Sequence, residues 1–258
     1  MAEEGRYIYC VIGTDQERNF GLMGIGGRGD EVYTLCYQGQ AAVISNSPVT
    51  QYPISRENIL AHQRVMERVM GDYTVLPVRF GTIAESKDGV SAEQRIKEKV
   101  LRGRYKELEG LLQTMENKVE LGVKALWADM SLIFGEIIQE NKEIRILKKK
   151  IEARPPLQTR DERIALGEMV QSRLEAKREK EGKALLTALK KIAADYRTNK
   201  PLGDRMIMNA AFLVNTDAME DFDNQVNKLA AEGQERIKLK YVGPVPPCNF
   251  VDLTVTWE

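Results

Sequence analysis

The sequence predicts an α+β protein with two domains. An N-terminal order of strand, hairpin, helix and strand precedes a strongly helical middle, and strand-like runs return toward the C-terminus. A chain of 258 residues with 43% hydrophobic residues can bury a substantial core and is more natural as two domains than as one. We expect an N-terminal domain at 1–115 and a C-terminal domain at 116–258, with a helical hairpin at 129–197.

In the N-terminal domain, aromatic and β-branched residues predict a strand at 6–12, and the glycine-rich tract 21–29 predicts a surface loop. Two further runs separated by Gln38-Gly39-Gln40 are typical of a β-hairpin. A helix capped by Ser55 then leads to a strand. The predicted ranges are 31–37 and 41–45 for the hairpin, 55–71 for the helix and 75–80 for the strand. This order favours a ferredoxin-like sandwich.

A Ser-x-x-Gln capping box predicts a helix at 91–115, and alternation predicts a half-buried strand at 119–126. Heptad spacing predicts one helix from Met130 to Ile151, ended by Pro155-Pro156, and a second long helix at 160–197. The remaining predicted elements are a buried strand at 206–214, a helix at 217–231, a half-exposed strand at 236–242 and a final strand at 250–257. The four strands would form a second sheet, with the helical hairpin inserted between its first two strands.

Composition excludes several classes of partner and site. Lys plus Arg equals Asp plus Glu at 38 each, so no overall field favours nucleic acid or an anionic membrane. No apolar run approaches the length of a membrane span, and the acidic N-terminus does not resemble a secretory signal. Cys10, Cys36 and Cys248 are far apart in sequence and odd in number, so we expect free thiols in a reducing cytosol.

The apolar segment 75–81 contains one proline and one cation. Pro77 cannot donate a hydrogen bond, so the segment should be an edge strand, and Gly81 permits a sharp turn after it. If Arg79 is buried, it needs a carboxylate or carbonyl partner. Two interpretations remain: an anchor between layers, or an anion or ligand site.

Other candidate sites are weaker. The glycines at 24–29 resemble a phosphate cradle, but a strand follows them where that chemistry needs a helix. His62 is the only histidine, has no nearby nucleophile in sequence and is expected to be a packing residue. No catalytic or metal-binding motif is present, so no cofactor is predicted.

Two surfaces could bind a partner. One is the apolar stripe at the heptad positions between Met130 and Ile151, which could be an internal seam of the hairpin, a surface for a partner helix, or both. The stiff segment 243–250 could present Val245, Pro247 and Phe250 as a rigid apolar knob, or it could be a turn packed on the sheet.

Four motifs together resemble a known family in order and spacing. They are Tyr7-Ile8-Tyr9, the run from Val75 to Thr82 (VLPVRFGT), the run from Met208 to Val214 (MNAAFLV) and the run from Gly243 to Phe250 (GPVPPCNF). These motifs are similar to those of the gas vesicle protein GvpF/GvpL family, from about residue 6 to the C-terminus. The family's last motif usually reads Gly-Pro-Trp-Pro-Pro-Tyr-Ser-Phe, whereas this chain has Val245, Cys248 and Asn249 at its variable places.

The resemblance implies a ferredoxin-like N-terminal domain, a C-terminal α+β domain with helical extensions, and no enzymatic activity or cofactor. It further implies an accessory role at the gas vesicle in the cytoplasm, as a minor component that binds the hydrophobic shell protein GvpA and prevents its aggregation during nucleation and assembly. Other gas vesicle accessory proteins are further candidate partners. The residues selected as a partner-binding or structural motif are Pro77, Arg79, Phe80, Gly81, Val245, Pro247 and Phe250. The motifs do not separate GvpF from GvpL.

Two other functions are compatible with the residues. One is a ferredoxin-like domain that binds a small ligand or acts as an enzyme, with Arg79 as the anion ligand. The other is a coiled-coil scaffold that self-associates through the hairpin.

Overall fold

The computed structural model describes residues 4–233 and 235–257, which fall into two compact units. The first unit combines the residues up to Glu120 with those from Pro244 onward, and the second spans Leu121–Gly243. The sequence predicted domains at 1–115 and 116–258, whereas the first unit extends to Glu120 and the second ends at Gly243. The larger difference is that the chain from Pro244 onward belongs with the N-terminal part of the sequence.

An antiparallel sheet forms the centre of the first unit. In the described residues its strands are β1 (Glu4–Ile12), β2 (Asn19–Leu22), β3 (Glu31–Tyr37), β4 (Gln40–Pro48), β5 (Val75–Pro77) and β6 (Ile83–Ala84). The strand order is β2-β3-β4-β1-β5, and β6 also pairs with β1. Tyr7 lies opposite Ser45 on β4, and Val11 lies opposite Leu76 on β5. The strand of Pro77 is therefore at the sheet edge, as predicted.

Helix α1 (Arg56–Met70) connects β4 to β5, and the Ser55 side chain accepts a hydrogen bond from the Asn58 N–H, which confirms the predicted cap. The path β3-β4-β1-β5 is that of a ferredoxin-like sheet, but the connection from β1 to β3 contains β2 and the glycine-rich tract instead of a helix. The short strand β2 was not predicted. Nor is the tract only a surface loop, because Ile25 is fully buried and its N–H donates to the Tyr9 hydroxyl.

The predicted helix 91–115 is interrupted. It comprises α2 (Ala92–Ile96), a π-helical turn (Lys97–Arg102) and α3 (Tyr105–Met115). Ser91 caps α2 by accepting from the Gln94 N–H, as the capping box predicts. The break falls at Gly103, where a Cβ atom would lie 3.0 Å from the carbonyl oxygens of Glu98 and Lys99. The mixed α+β class is confirmed.

The second unit contains a four-stranded sheet in the order β10-β7-β9-β8. Its strands are β7 (Lys118–Trp127), β8 (Asp195–Thr198), β9 (Met206–Asn215) and β10 (Ile237–Val245). β9 is an inner strand and almost wholly buried, as predicted. The half-exposed strand predicted at 236–242 extends further than expected, because β10 continues to Val245 and so includes the first three residues of the stiff segment 243–250. An edge strand tolerates Pro244 since one side of its backbone needs no partner.

The helices of the second unit differ from the prediction at two places. They are α4 (Met130–Glu140), α5 (Lys142–Glu152), α6 (Arg160–Leu189) and α7 (Met219–Gly233). The single helix predicted from Met130 to Ile151 is broken at Asn141, whose backbone is extended at φ −116° and ψ 106°. The long second helix ends at Leu189 rather than at residue 197, because 195–198 form β8 and pair with β9. The heptad residues Ile133, Ile137, Ile144 and Ile151 are buried, and α4 and α5 both pack on α6. No helix in the described ranges is long and apolar enough to cross a membrane.

The final strand predicted at 250–257 for the second sheet is wrong. These residues lie in the first unit, where Val78 and Leu253 form an isolated parallel bridge. Arg95 and Arg104 donate to the carbonyl oxygens of Trp257 and Thr254, at 3.1 and 3.0 Å. Guanidinium groups therefore satisfy carbonyls that a neighbouring strand would otherwise satisfy. The sequence alternation is strand-like, but the pairing is not that of a sheet.

A cluster of charges lies where Lys177 to Gly182 interrupts the apolar stripe of α6. Lys177 bridges Glu136 and Glu140, at 3.0 and 2.9 Å. Glu181 accepts from the indole N–H of the fully buried Trp127 at 2.7 Å and also pairs with Arg236. The interruption therefore joins α6 to β7 and to the start of β10 by hydrogen bonds.

Replacing Glu181 with alanine tests this cluster. In E181A the buried indole N–H of Trp127 has no acceptor and Arg236 loses one of its carboxylates, so we expect the free energy of unfolding to fall by about 2–3 kcal/mol. Urea denaturation followed by circular dichroism measures the change. Glu179, exposed on the same helix, provides the matched control E179A. Equal midpoints for both variants would contradict the assignment.

Candidate functional site

An open cleft of about 790 Å³ lies within the first unit. Its walls are formed by α1 with the residue before its cap, by the chain that follows β5, and by residues 245–253. Most of the surface is apolar, from side chains that include Ile54, Ile59, Met66, Phe80, Val251 and Leu253. The shape and chemistry are those of a site for an apolar group or chain segment.

The structure brings four of the predicted site residues together. Pro77, Arg79, Phe80 and Val245 all line the cleft. The other three, Gly81, Pro247 and Phe250, are not among its lining residues. Gly81 has φ +83° and makes the turn that was predicted after the strand. A partner-binding role for these seven residues stays a prediction.

The predicted knob at Val245, Pro247 and Phe250 is not a projecting surface. Pro247 is buried, and Val245 and Phe250 are half-buried. The Phe250 and Val251 N–H groups both donate to the Pro247 carbonyl at 3.0 Å, so the segment is a tight turn. The segment therefore matches the alternative interpretation, a packed turn. Residues next to this turn line the cleft.

Arg79 is not the buried cation that the apolar run suggested. Its side chain is 62% exposed and lies 3.4 Å from the carboxylate of Asp252. An exposed pair of this kind contributes about 0–1 kcal/mol. The backbone of Arg79 does more, since its N–H donates to the Leu253 carbonyl at 3.2 Å and so helps to hold one wall of the cleft.

His62 lies on the cleft side of α1, buried against aromatic rings. Its Nδ1 is 3.0 Å from the Tyr7 hydroxyl, which accepts from the Gly81 N–H at 2.9 Å. Because the Tyr7 oxygen already accepts there, its own proton is available for Nδ1, and His62 then carries its proton on Nε2. Tyr9 and Phe80 pack on the ring with centroids 5.7 Å away. Burial lowers the pKa of His62 to about 4, so the ring is neutral at pH 7.

Glu120 is the buried carboxylate of the cleft, with a residue exposure of 5%. Its two oxygens accept from Asn249, one from the backbone N–H at 2.8 Å and one from the side-chain amide at 2.6 Å. Burial raises the pKa of Glu120, and the two hydrogen bonds oppose that shift. Within residues 4–233 and 235–257, no basic side chain forms an ion pair with it.

Sequence reasoning missed Ile54, Ile59 and Glu120. A signal for the first two was present: they occupy the positions before and four after the Ser55 cap, where paired hydrophobic residues often contact each other. Glu120 gave no local signal, because an isolated Glu in an alternating strand is usually solvated. In the part of the chain that the structure describes, no group of three or more His, Cys, Asp or Glu side chains could hold a metal ion.

The titration of His62 has a measurable consequence for stability. The unfolded chain binds a proton near pH 6.5, whereas the folded protein does so only near pH 4. The stabilisation is therefore complete above pH 6.5 and is lost as the pH falls toward 4, by about 3 kcal/mol in total. Chemical denaturation at several pH values, compared between the wild type and His62→Gln, isolates this contribution.

The Gln side chain can accept from Tyr7 and donate at the other end, but it does not titrate. Stability of the variant should depend less on pH across that window. Because the chain has one histidine, a single imidazole NMR signal reports the site directly. A midpoint near 6.5 in the folded protein would refute the buried neutral ring.

Comparison with known sequences agrees with the resemblance of the motifs. A family model described as "Gas vesicle synthesis protein GvpL/GvpF" matches residues 5–252. Gas vesicle protein F from a Streptomyces species is 30% identical over 229 residues, which cover 89% of this chain and 91% of that protein. Gas vesicle protein F1 from Halobacterium salinarum is 26% identical over 258 residues, with 99% and 96% of the two chains covered.

The fold also has a counterpart among solved structures. The crystal structure of the gas vesicle protein GvpF from an Anabaena species superposes with a TM-score of 0.81, at 22% identity, and covers 97% of this chain and 99% of that one. That likeness concerns the fold, whereas the sequence match extends over nearly the whole chain and includes the segments that form the cleft. The chain belongs to the gas vesicle synthesis protein GvpL/GvpF family.

Proposed function

We propose that this gas vesicle accessory protein binds the hydrophobic shell protein GvpA and prevents its aggregation during nucleation and assembly of the vesicle. It acts by covering apolar surface of the shell protein, with no chemical step, and is a minor component at the gas vesicle in the cytoplasm. Family membership supports the association with gas vesicles. The open apolar cleft of the first unit supports this binding role, and we propose it as the docking site.

Apolar surface that is exposed on an unassembled shell subunit favours aggregation until another apolar surface covers it. The cleft offers such a surface. At its rim Ile54 is 84% exposed and Ile59 is 41% exposed, so both side chains can lose contact with water when a partner binds. Full burial of an exposed isoleucine is worth about 1.5–3 kcal/mol, and Ile59, which is already more than half buried, contributes correspondingly less. The volume is also in the range of sites that enclose a compact ligand or one chain segment.

The alternative of a small anionic ligand bound by Arg79 requires a polar pocket around that residue. The lining is mainly apolar, and the Arg79 guanidinium already faces Asp252. This chemistry favours a polypeptide partner over a phosphate or carboxylate ligand.

Self-association through the helical hairpin stays a prediction. Leu132, Ile146 and Ile164 are exposed apolar residues on its helices.

Replacing the rim isoleucines tests the location. Ile54→Gln and Ile59→Gln remove apolar contact area without a change in charge. We expect Ile54→Gln to weaken binding of GvpA about tenfold and Ile59→Gln, where less area remains to be buried, about threefold. Light scattering of GvpA diluted from denaturant, with increasing amounts of each full-length variant, measures how much accessory protein suppresses aggregation.

Leu22→Gln is the matched control, since Leu22 is 72% exposed in the same unit but does not line the cleft. It should suppress aggregation as well as the wild type does. Equal losses in all three variants would remove the cleft as the docking site. Wild-type protein that fails to suppress aggregation at any ratio would overturn the proposed function itself.

A thiol footprint examines the same surface without a mutation. Cys248 lines the cleft, whereas Cys36, on β3, does not. Burial and the nearby Glu120 raise the pKa of the Cys248 thiol to about 11, so alkylation by a maleimide is slow enough to follow by mass spectrometry. We expect bound GvpA to slow modification of Cys248 by more than about fivefold and to leave Cys36 unchanged. Unchanged modification of Cys248 in the complex would contradict docking at the cleft.

A further inference from the structure

The buried carboxylate of Glu120 is chemically unlike the wall around it. It lies in the lining of a mainly apolar cleft, and among the described residues its hydrogen bonds come from one neutral residue, Asn249. A desolvated carboxylate without a cation is costly by several kcal/mol, and hydrogen bonds offset only part of that cost. A cation supplied by a bound partner would offset much of the rest.

The other titratable groups of the cleft do not supply that cation. His62 is neutral at pH 7, and the Cys248 thiol is protonated. Arg79 and Asp252 face each other at the exposed rim, so their charges largely cancel. With the Glu120 carboxylate ionised, the lining carries a net charge of −1 at that residue, surrounded by apolar side chains.

We propose that the cleft recognises an apolar segment of the shell protein that carries one lysine or arginine, whose cationic group pairs with the Glu120 carboxylate. The proposal rests on the proposed function and adds the chemistry of recognition to it. Apolar contacts at Ile54 and Ile59 hold the segment, and the ion pair selects which segment fits and fixes its register.

The geometry leaves room for such a pair. Each carboxylate oxygen has two lone pairs, and Asn249 uses one on each oxygen. The two remaining sites can accept from a lysine ammonium, or from an arginine guanidinium in a bidentate pair. The Asn249 donors also fix the orientation of the carboxylate before the partner arrives, which lowers the entropic cost of the pair.

The competing explanation is structural: Glu120 would serve only to hold the turn around Asn249 against the rest of the unit. Both explanations predict that loss of Glu120 weakens binding, because a displaced turn would deform the cleft. They differ in selectivity. Only the ion pair makes the loss depend on the charge of the ligand.

The first experiment measures that dependence with peptides. Short overlapping peptides of GvpA are titrated into the full-length protein, and in the tightest binder the lysine or arginine is replaced by norleucine or citrulline. We expect this replacement to weaken binding to the wild type about tenfold and to Glu120→Gln less than about twofold. Glu109→Gln, which removes an exposed carboxylate on α3, should keep the tenfold preference.

A second probe does not depend on the shell protein. Hexylammonium and 1-hexanol have the same chain length and differ in charge, and their dissociation constants for the full-length protein are measured by NMR titration. We expect the wild type and Glu109→Gln to prefer hexylammonium, and Glu120→Gln to bind the two probes equally. Thermal unfolding of each variant establishes that it is folded.

The outcomes separate the two claims. Equal effects of the neutral peptide on the wild type and on Glu120→Gln, or no preference for hexylammonium, would overturn the ion pair and leave docking by apolar contact. If no GvpA peptide binds, the proposed function fails and so does the assignment of the cation to the shell protein. A hexylammonium preference that Glu120 controls would in that case still establish an anionic apolar cleft.

Discussion

The cleft depends on backbone pairing between two parts of the chain that are far apart in sequence. Val78 and Leu253 form a parallel bridge just beyond the edge strand β5, and the Arg79 N–H donates to the Leu253 carbonyl. Pro77 has no N–H, so regular pairing cannot extend across this edge, and a single bridge replaces a ladder. Asn249, Arg95 and Arg104 add side-chain hydrogen bonds on either side of the bridge. These contacts hold residues 245–253 against the rest of the first unit.

Polar groups buried beside that wall form hydrogen bonds within the protein, and these bonds connect the walls of an otherwise apolar cleft. The Tyr7 hydroxyl joins His62 on α1 to Gly81 after β5, so the helix and the turn are held at a fixed separation. Glu120 and Asn249 perform a similar role at the opposite wall. The two pairs differ in one respect: the histidine pair is neutral, while the carboxylate retains a charge that its neutral partner does not balance.

Local patterns predicted most elements of the fold. Ser55 and Ser91 begin helices because their side chains satisfy N–H groups within three residues, and Pro77 marks a sheet edge for an equally local reason. The errors involve distant partners. Residues 195–198 continue a helical pattern, yet pairing with β9 makes them a strand. Asn141 interrupts a heptad that continues in sequence on both sides of it. Glu120 is the clearest case in the site, since the residue that donates hydrogen bonds to its carboxylate, Asn249, is 129 residues away.

The first unit has a consequence for the order of events during synthesis. Its sheet and α1 leave the ribosome early, but the residues that form the third wall follow only after the whole second unit. A nascent chain therefore displays Ile54 and Ile59 for most of its translation, before the third wall of the cleft can form. A chain that ended within the second unit would lack residues 245–253 and with them the third wall, so the complete cleft requires translation to pass residue 253.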